Sequence, residues 1–201
     1  MPSGITSSKW FFGLLLAMLA GLAAAPVAQA DSMMAQLSSD SARFRYTTTG
    51  LGQSFGNLET SFGFLYTDNS GEKNSYLADV GSFVRGESVE APIIVSIGGR
   101  IYGGKAKDYT VYAVGLGGDA LLLPDSWGGF GLGAFFIIAP GVVSFGDSDG
   151  LMEYGATMHF EVSPQASVLL GYQKIETDIK DAPVDKVTID DGVFFAVHVT
   201  F

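Results

Sequence analysis

The chain has 201 residues, a formal net charge of −10, 27 glycines and no cysteine. The acidic balance leaves no basic patch to neutralise phosphates, which excludes nucleic acid as a partner class. Without cysteine there are no disulfides and no thiolate metal sites, so an exported domain must find stability elsewhere, and a closed barrel is one source because it leaves no strand edge.

At the N-terminus, MPSGITSSK carries one cation, Lys9, ahead of the unbroken apolar run Trp10 to Ala25. Pro26 breaks the run, and Ala28-Gln29-Ala30 offers a small-residue cleavage site before Asp31. These are the three parts of a secretory signal peptide, here residues 1–30. The run is shorter than the roughly 20 residues of a membrane-spanning helix. Residues 31–53 fit the pattern less well and are expected to form a lead-in. Within them Ala42, Phe44 and Tyr46 alternate with Arg43 and Arg45, which leaves open a short strand, a bent extension, or a strand of a larger barrel.

From residue 54 onward, alternating segments recur between turn-like clusters. Phe55–Thr67 sets Leu58, Phe62, Phe64 and Tyr66 opposite Glu59, Ser61 and Gly63. Ser75–Arg85 sets Tyr76, Ala78, Val80 and Val84 opposite Asp79 and Gly81. Ala91–Tyr102 sets Ile93, Val95, Ile97 and Ile101 opposite Ser96, Gly98 and Arg100. Tyr109–Leu122 and Gly128–Pro140 continue the pattern, with Asp119 on the mixed face of the first. Leu151–Val162 sets Met152, Tyr154, Ala156, Met158, Phe160 and Val162 opposite Glu153, His159 and Glu161. Ala166–Thr177 places Gln173 on the mixed face, and the last segment, Gly192–Phe201, places His198 there.

These eight segments are each about long enough to cross a bilayer when tilted. The fold expected is all-β: a closed antiparallel up-and-down transmembrane β-barrel over residues 54–201, with eight strands preferred to ten. The connections divide into an outer set (68–74, 103–108, 141–150 and 178–191) and a shorter, periplasmic set (86–90, 123–127 and 163–165). A water-soluble barrel or sandwich would reverse the faces. Here the mixed face carries too much Gly, Ser and Thr and too little charge to be a solvated exterior, and charge gathers in the loops.

The stretches GNLETSFGFLYTDNSG (56–71), IGGRIYGG (97–104), VSFGDSDGLMEYG (143–155) and PQASVLLGYQKI (164–175) together resemble the YfaZ family of outer-membrane proteins. The resemblance runs from about Ser41 to Phe201 and rests on Gly, aromatic and turn residues. It implies a small barrel in the outer membrane of a Gram-negative bacterium and carries over no functional residue. The terminal Phe201 resembles the signature by which the barrel assembly machinery recognises a C-terminal strand.

Polar groups inside a narrow barrel must be paired. The expected lumenal set is Glu59, Asp79, Arg100, Asp119, Glu153, His159, Glu161, Gln173 and His198, with Arg100 the central cation for Asp79 and for Glu59 or Asp119. His159, Glu161 and His198 are the residue types of a zinc or acid–base site; a structural role filling the lumen is preferred, with no metal and no cofactor. An acyl-transferring outer-membrane enzyme would need a Ser–His pair near the outer rim, and the outer loops hold no His. The acidic stretches 146–150 and 178–191 raise calcium binding, but neither has full EF-hand spacing, and solvated loops are preferred.

The function expected is structural or one of surface contact, without catalysis. The partners are outer-membrane lipid, lipopolysaccharide and the assembly machinery, with the protein a monomer. The rivals are a narrow, porin-like passage of the OmpW kind, a lipid-modifying enzyme, and a soluble periplasmic binding barrel.

Overall fold

A computed structural model describes residues 31–49, 57–69, 72–88, 91–180 and 186–201 of the protein. The expected signal peptide lies outside the described residues. The strands are β1 (Ser32–Ser38), β2 (Ser41–Thr48), β3 (Leu58–Thr67), β4 (Ser75–Glu87), β5 (Ile93–Ala106), β6 (Tyr109–Leu122), β7 (Phe130–Pro140), β8 (Ser144–Gly146), β9 (Ser148–Ser163), β10 (Ala166–Ile179) and β11 (Lys186–Thr200). Neighbouring strands pair antiparallel around the sheet, and β1 pairs with β11, so the sheet closes on itself. β7 and the short β8 lie in line along β6, separated by a 3-10 turn at Gly141–Val143, and act as one strand.

The barrel therefore has ten strands, not eight. The expected lead-in is a β-hairpin that carries the closure, and the barrel begins at Ser32 rather than at residue 54. The physical reason is register. Ala42, Phe44 and Tyr46 pair with Tyr66, Phe64 and Phe62 and extend the outward apolar face by one strand. Ser32–Ser38 then fills the gap to Thr200–Phe194. At the seam, Asp31 and Phe201 exchange two backbone hydrogen bonds, 3.1 and 2.8 Å. Hydrogen bonds from Thr48 and from the Tyr46 hydroxyl hold the Asp31 carboxyl below the usual carboxylate range.

The expected contrast between long and short connections also needs correction. Strands continue through much of what the sequence marks as loop: β5 and β6 meet at a turn of Lys107 and Asp108, and β10 and β11 reach to Ile179 and back from Lys186. Residues 181–185 of the expected acidic loop lie outside the described residues. A β-bulge hides the second of these strands. Ile175 pairs with Asp190 but Glu176 with Thr188, so Ile189 is the extra residue. Both Ile189 and Asp190 are buried, and the alternation changes phase there.

The outer surface is apolar. Val80, Ile97, Ile101, Leu116, Leu132, Phe136, Ile138, Met158, Leu170, Val193 and Phe195 are all exposed, Ile97 and Leu116 to 69%. Exposed aromatics flank them at both ends. Trp127 and Phe130 lie toward the chain termini, and Tyr66, Tyr76, Tyr112 and Phe145 lie toward the opposite end. Such a belt between two girdles is how a barrel meets a bilayer. Among the described residues, charged side chains at outward strand positions gather toward the end opposite the termini, with Lys105, Lys174, Glu176, Lys186 and Asp191 among them.

Candidate functional site

The lumen is built in three layers. Farthest from the termini is a mainly apolar plug of Leu65, Leu77, Val111, Leu151, Ile175, Ile179, Val187 and Ile189, all buried, with the buried hydroxyls of Thr67, Ser75, Ser148 and Thr177 among them. Below it lies an ion cluster, and below that a cavity. A ten-stranded barrel is wider than an eight-stranded one and needs bulk to fill it. Phe135 and Phe194 supply some of that bulk by lying flat across the next strand. A Cβ added at Gly155 would meet the Phe135 ring at 2.5 Å, and one at Gly171 would meet the Phe194 ring at 2.6 Å.

The ion cluster joins four strands across the lumen. The Arg43 guanidinium on β2 donates from Nη1 to Glu153 Oε1 (2.6 Å) and from Nη2 to Asp79 Oδ2 (3.1 Å). Arg100 on β5 donates from Nη1 to Glu153 Oε2 (2.9 Å), and its Nε is 3.4 Å from Asp79 Oδ1. The Tyr102 hydroxyl also donates to Glu153 Oε2. Arg100 stacks on the Phe83 ring, 5.3 Å from its centroid. Arg43, Asp79, Arg100 and Glu153 are all less than 8% exposed. Beside them Gln173 donates to Asp190. Arg45 approaches less closely: its Nη2 is 3.8 Å from Asp79 and 3.9 Å from Glu153.

The structure thus brings together Asp79, Arg100, Glu153 and Gln173 of the expected set. Glu59 and Asp119 do not join Arg100 as expected. Glu59 accepts from Arg85 (3.0 Å), and Asp119 accepts from Ser96 (3.3 Å). Sequence reasoning missed Arg43, Arg45, Tyr102 and Asp190. The signal for the arginines was their strict alternation with Ala42, Phe44 and Tyr46, which puts both on the inward face once that segment is a strand. Asp190 was concealed by the bulge. His159 and His198 do face inward and line the cavity, whereas Glu161 is exposed, its backbone N–H donating to Gly129. Among the described residues these three do not gather into a group able to hold a metal.

The cavity has a volume of about 250 Å³ and occupies the terminal side of the cluster. Arg43, Arg45 and Arg100 form its floor, and Phe83, Phe135, Leu169 and Phe194 form much of its wall. Several described carboxylates of the expected calcium segments have protein partners. Asp147 accepts from the backbone N–H of Thr110 (2.7 Å), Asp178 lies 3.8 Å from Lys186, and Asp191 accepts from the Tyr172 hydroxyl (2.6 Å).

With an apolar belt outside and a paired ionic core inside, the barrel is of the outer-membrane kind, and the family pattern described as YfaZ precursor matches residues 13–201. The chain belongs to the YfaZ family. Its place is the bacterial outer membrane, and the precursor description accords with export through a signal peptide. No curated protein sequence matches the chain. Among solved structures, the family member is similar to the outer membrane channel DcaP of Acinetobacter baumannii, at 13% identity and a TM-score of 0.40 over 84% of this chain and 54% of that one. It is also similar to Neisserial surface protein A (NspA), at 13% identity and a TM-score of 0.38 over 86% of this chain and 95% of that one. It spans about half the length of DcaP.

Proposed function

We propose that the protein is a closed, non-conducting outer-membrane barrel with a structural or surface-contact role and no catalytic one. The observation that carries this reading is the lumen. An ion crossing it would have to part Arg43 and Arg100 from Glu153 and then traverse the buried plug from Leu65 to Ile189, whose packed apolar side chains and few hydroxyls cannot replace its hydration. Both histidines lie in the lumen at the terminal end, which supports a non-enzymatic reading.

In this reading the termini face the periplasm and Phe201 ends the strand offered to the assembly machinery. The opposite rim meets lipopolysaccharide. Lys105 stands at an outward position there, suited to a lipid phosphate, Lys174 and Lys186 at the same rim are held by Glu176, and the ion pairs Lys73–Asp108 and Lys107–Glu72 tie adjacent turns together. Purified protein in a planar lipid bilayer tests the central claim. The expected record shows no unitary steps, while stable steps of uniform size would replace the structural reading with a passage.

A further inference from the structure

We propose that the cavity on the terminal side of the lumen is a binding site for a small organic monoanion: a carboxylate on a compact apolar body, with Arg45 receiving the carboxylate.

Unequal partnering among the three arginines points to it. Both oxygens of Glu153 and Oδ2 of Asp79 are taken by hydrogen bonds from Arg43, Arg100 and Tyr102; Oδ1 of Asp79 has Arg100 Nε at 3.4 Å but accepts no hydrogen bond among the described residues. Arg45 is left with two contacts at 3.8 and 3.9 Å, beyond hydrogen-bond reach. Its Nε and Nη2 are buried and have no hydrogen-bond partner among the described residues. Of the three guanidinium groups it alone donates no hydrogen bond among the described residues, so its fork is free for an anion that enters the cavity. Its planar fork matches a carboxylate in geometry.

The surroundings narrow the ligand. Phe135, Leu169 and Phe194 wall the cavity, so the body of the ligand is apolar. Asp119 also lines it, and a second negative charge on the ligand would meet that carboxylate, so the ligand carries one. The volume of about 250 Å³ bounds its size. An apolar cavity of about 150 Å³ holds benzene, so one ring bearing a carboxylate fits here. His159 and His198, both half-buried, line the same cavity toward the terminal end. Access from the periplasm rests on the orientation given under Proposed function; binding itself does not, and it is compatible with either outcome of the conductance test.

Benzoate is the probe, titrated into the folded protein in detergent micelles by calorimetry, with benzamide and inorganic phosphate as comparisons. Saturable binding in the millimolar range is expected. Benzamide and phosphate should each bind at least about ten-fold more weakly, because one lacks the charge and the other the apolar body. Arg45→Gln should weaken benzoate at least about ten-fold while the protein keeps its heat-dependent gel shift. Absence of saturable benzoate binding, equal binding of benzamide or phosphate, or unchanged binding in folded R45Q would each overturn the proposal. Should R45Q not fold, Leu169→Trp decides the matter. It fills the cavity while leaving every residue of the ion cluster unsubstituted and must abolish benzoate binding; benzoate bound as tightly by folded L169W as by the wild type would overturn the proposal.

Discussion

Glu153 is the residue on which the lumen turns. It receives two arginines and a tyrosine from its place in the middle of β9. Removing one member of a buried ionic network costs about 3–5 kcal/mol because the partners stay buried without compensation. Glu153→Ala is therefore expected to lower the unfolding midpoint in detergent sharply, and Glu153→Gln less so, since the amide can still accept from Arg43. Equal midpoints for wild type and E153A would show that the network contributes no net stability. Gly63 tests the same cluster from the side. A Cβ there would lie 2.3 Å from Asp79 Oδ2. Gly63→Ala should displace Asp79 and destabilise the barrel by about 1–3 kcal/mol, read from the same unfolding curves.

At the scale of elements, the hairpin of β1 and β2 decides whether the sheet closes. Without it β3 and β11 present two unpaired edges, which lipid cannot satisfy. Deleting residues 32–48 should abolish the difference in gel mobility between unheated and boiled protein, whereas a self-sufficient eight-stranded barrel from β3 to β11 would keep it. The same hairpin brings Arg43, so its loss also strips Asp79 and Glu153 of a partner. The bulge at Ile189 acts differently: it turns Ile189 and Val187 into the plug while leaving Asp190 and Phe194 inward beside the cluster. Deleting Ile189 would put one of these sets into lipid. Burial of a carboxylate or loss of plug contacts follows either way, and a fall in folded yield is the expected readout.

For the whole molecule, the bilayer sets the constraint. Leu116 is 69% exposed in the middle of the apolar belt. Leu116→Arg should cost about 2–4 kcal/mol of stability in lipid vesicles. Lys105, at an outward position near the opposite rim, is expected to tolerate exchange to Arg with a change near zero. Equal effects at the two positions would place the bilayer elsewhere on the barrel.

Much of this was legible in the chain. Within the eight expected segments period-two alternation gave the outward and inward faces that the structure shows, because a strand's faces follow from local geometry alone; residues 178–191, read as loop, were given no face. Parity alone likewise pointed Asp79, Arg100, Glu153, His159 and His198 inward. What parity lacks is partner and distance. Whether Arg100 met Glu59, Asp119 or Glu153 depended on strand tilt and stagger around a closed circumference, and that depended on how many strands close it. The hairpin from Ser32 to Thr48 is short, and its charged residues read as a leader until β11 is seen lacking a neighbour. The bulge at Ile189 breaks the period without leaving a mark in composition. The sequence by itself determined a membrane barrel with a paired ionic lumen, since those follow from which residues alternate. Only the tertiary structure decided the strand count, the arginines that complete the cluster, and the one guanidinium left over, since those follow from which strands meet.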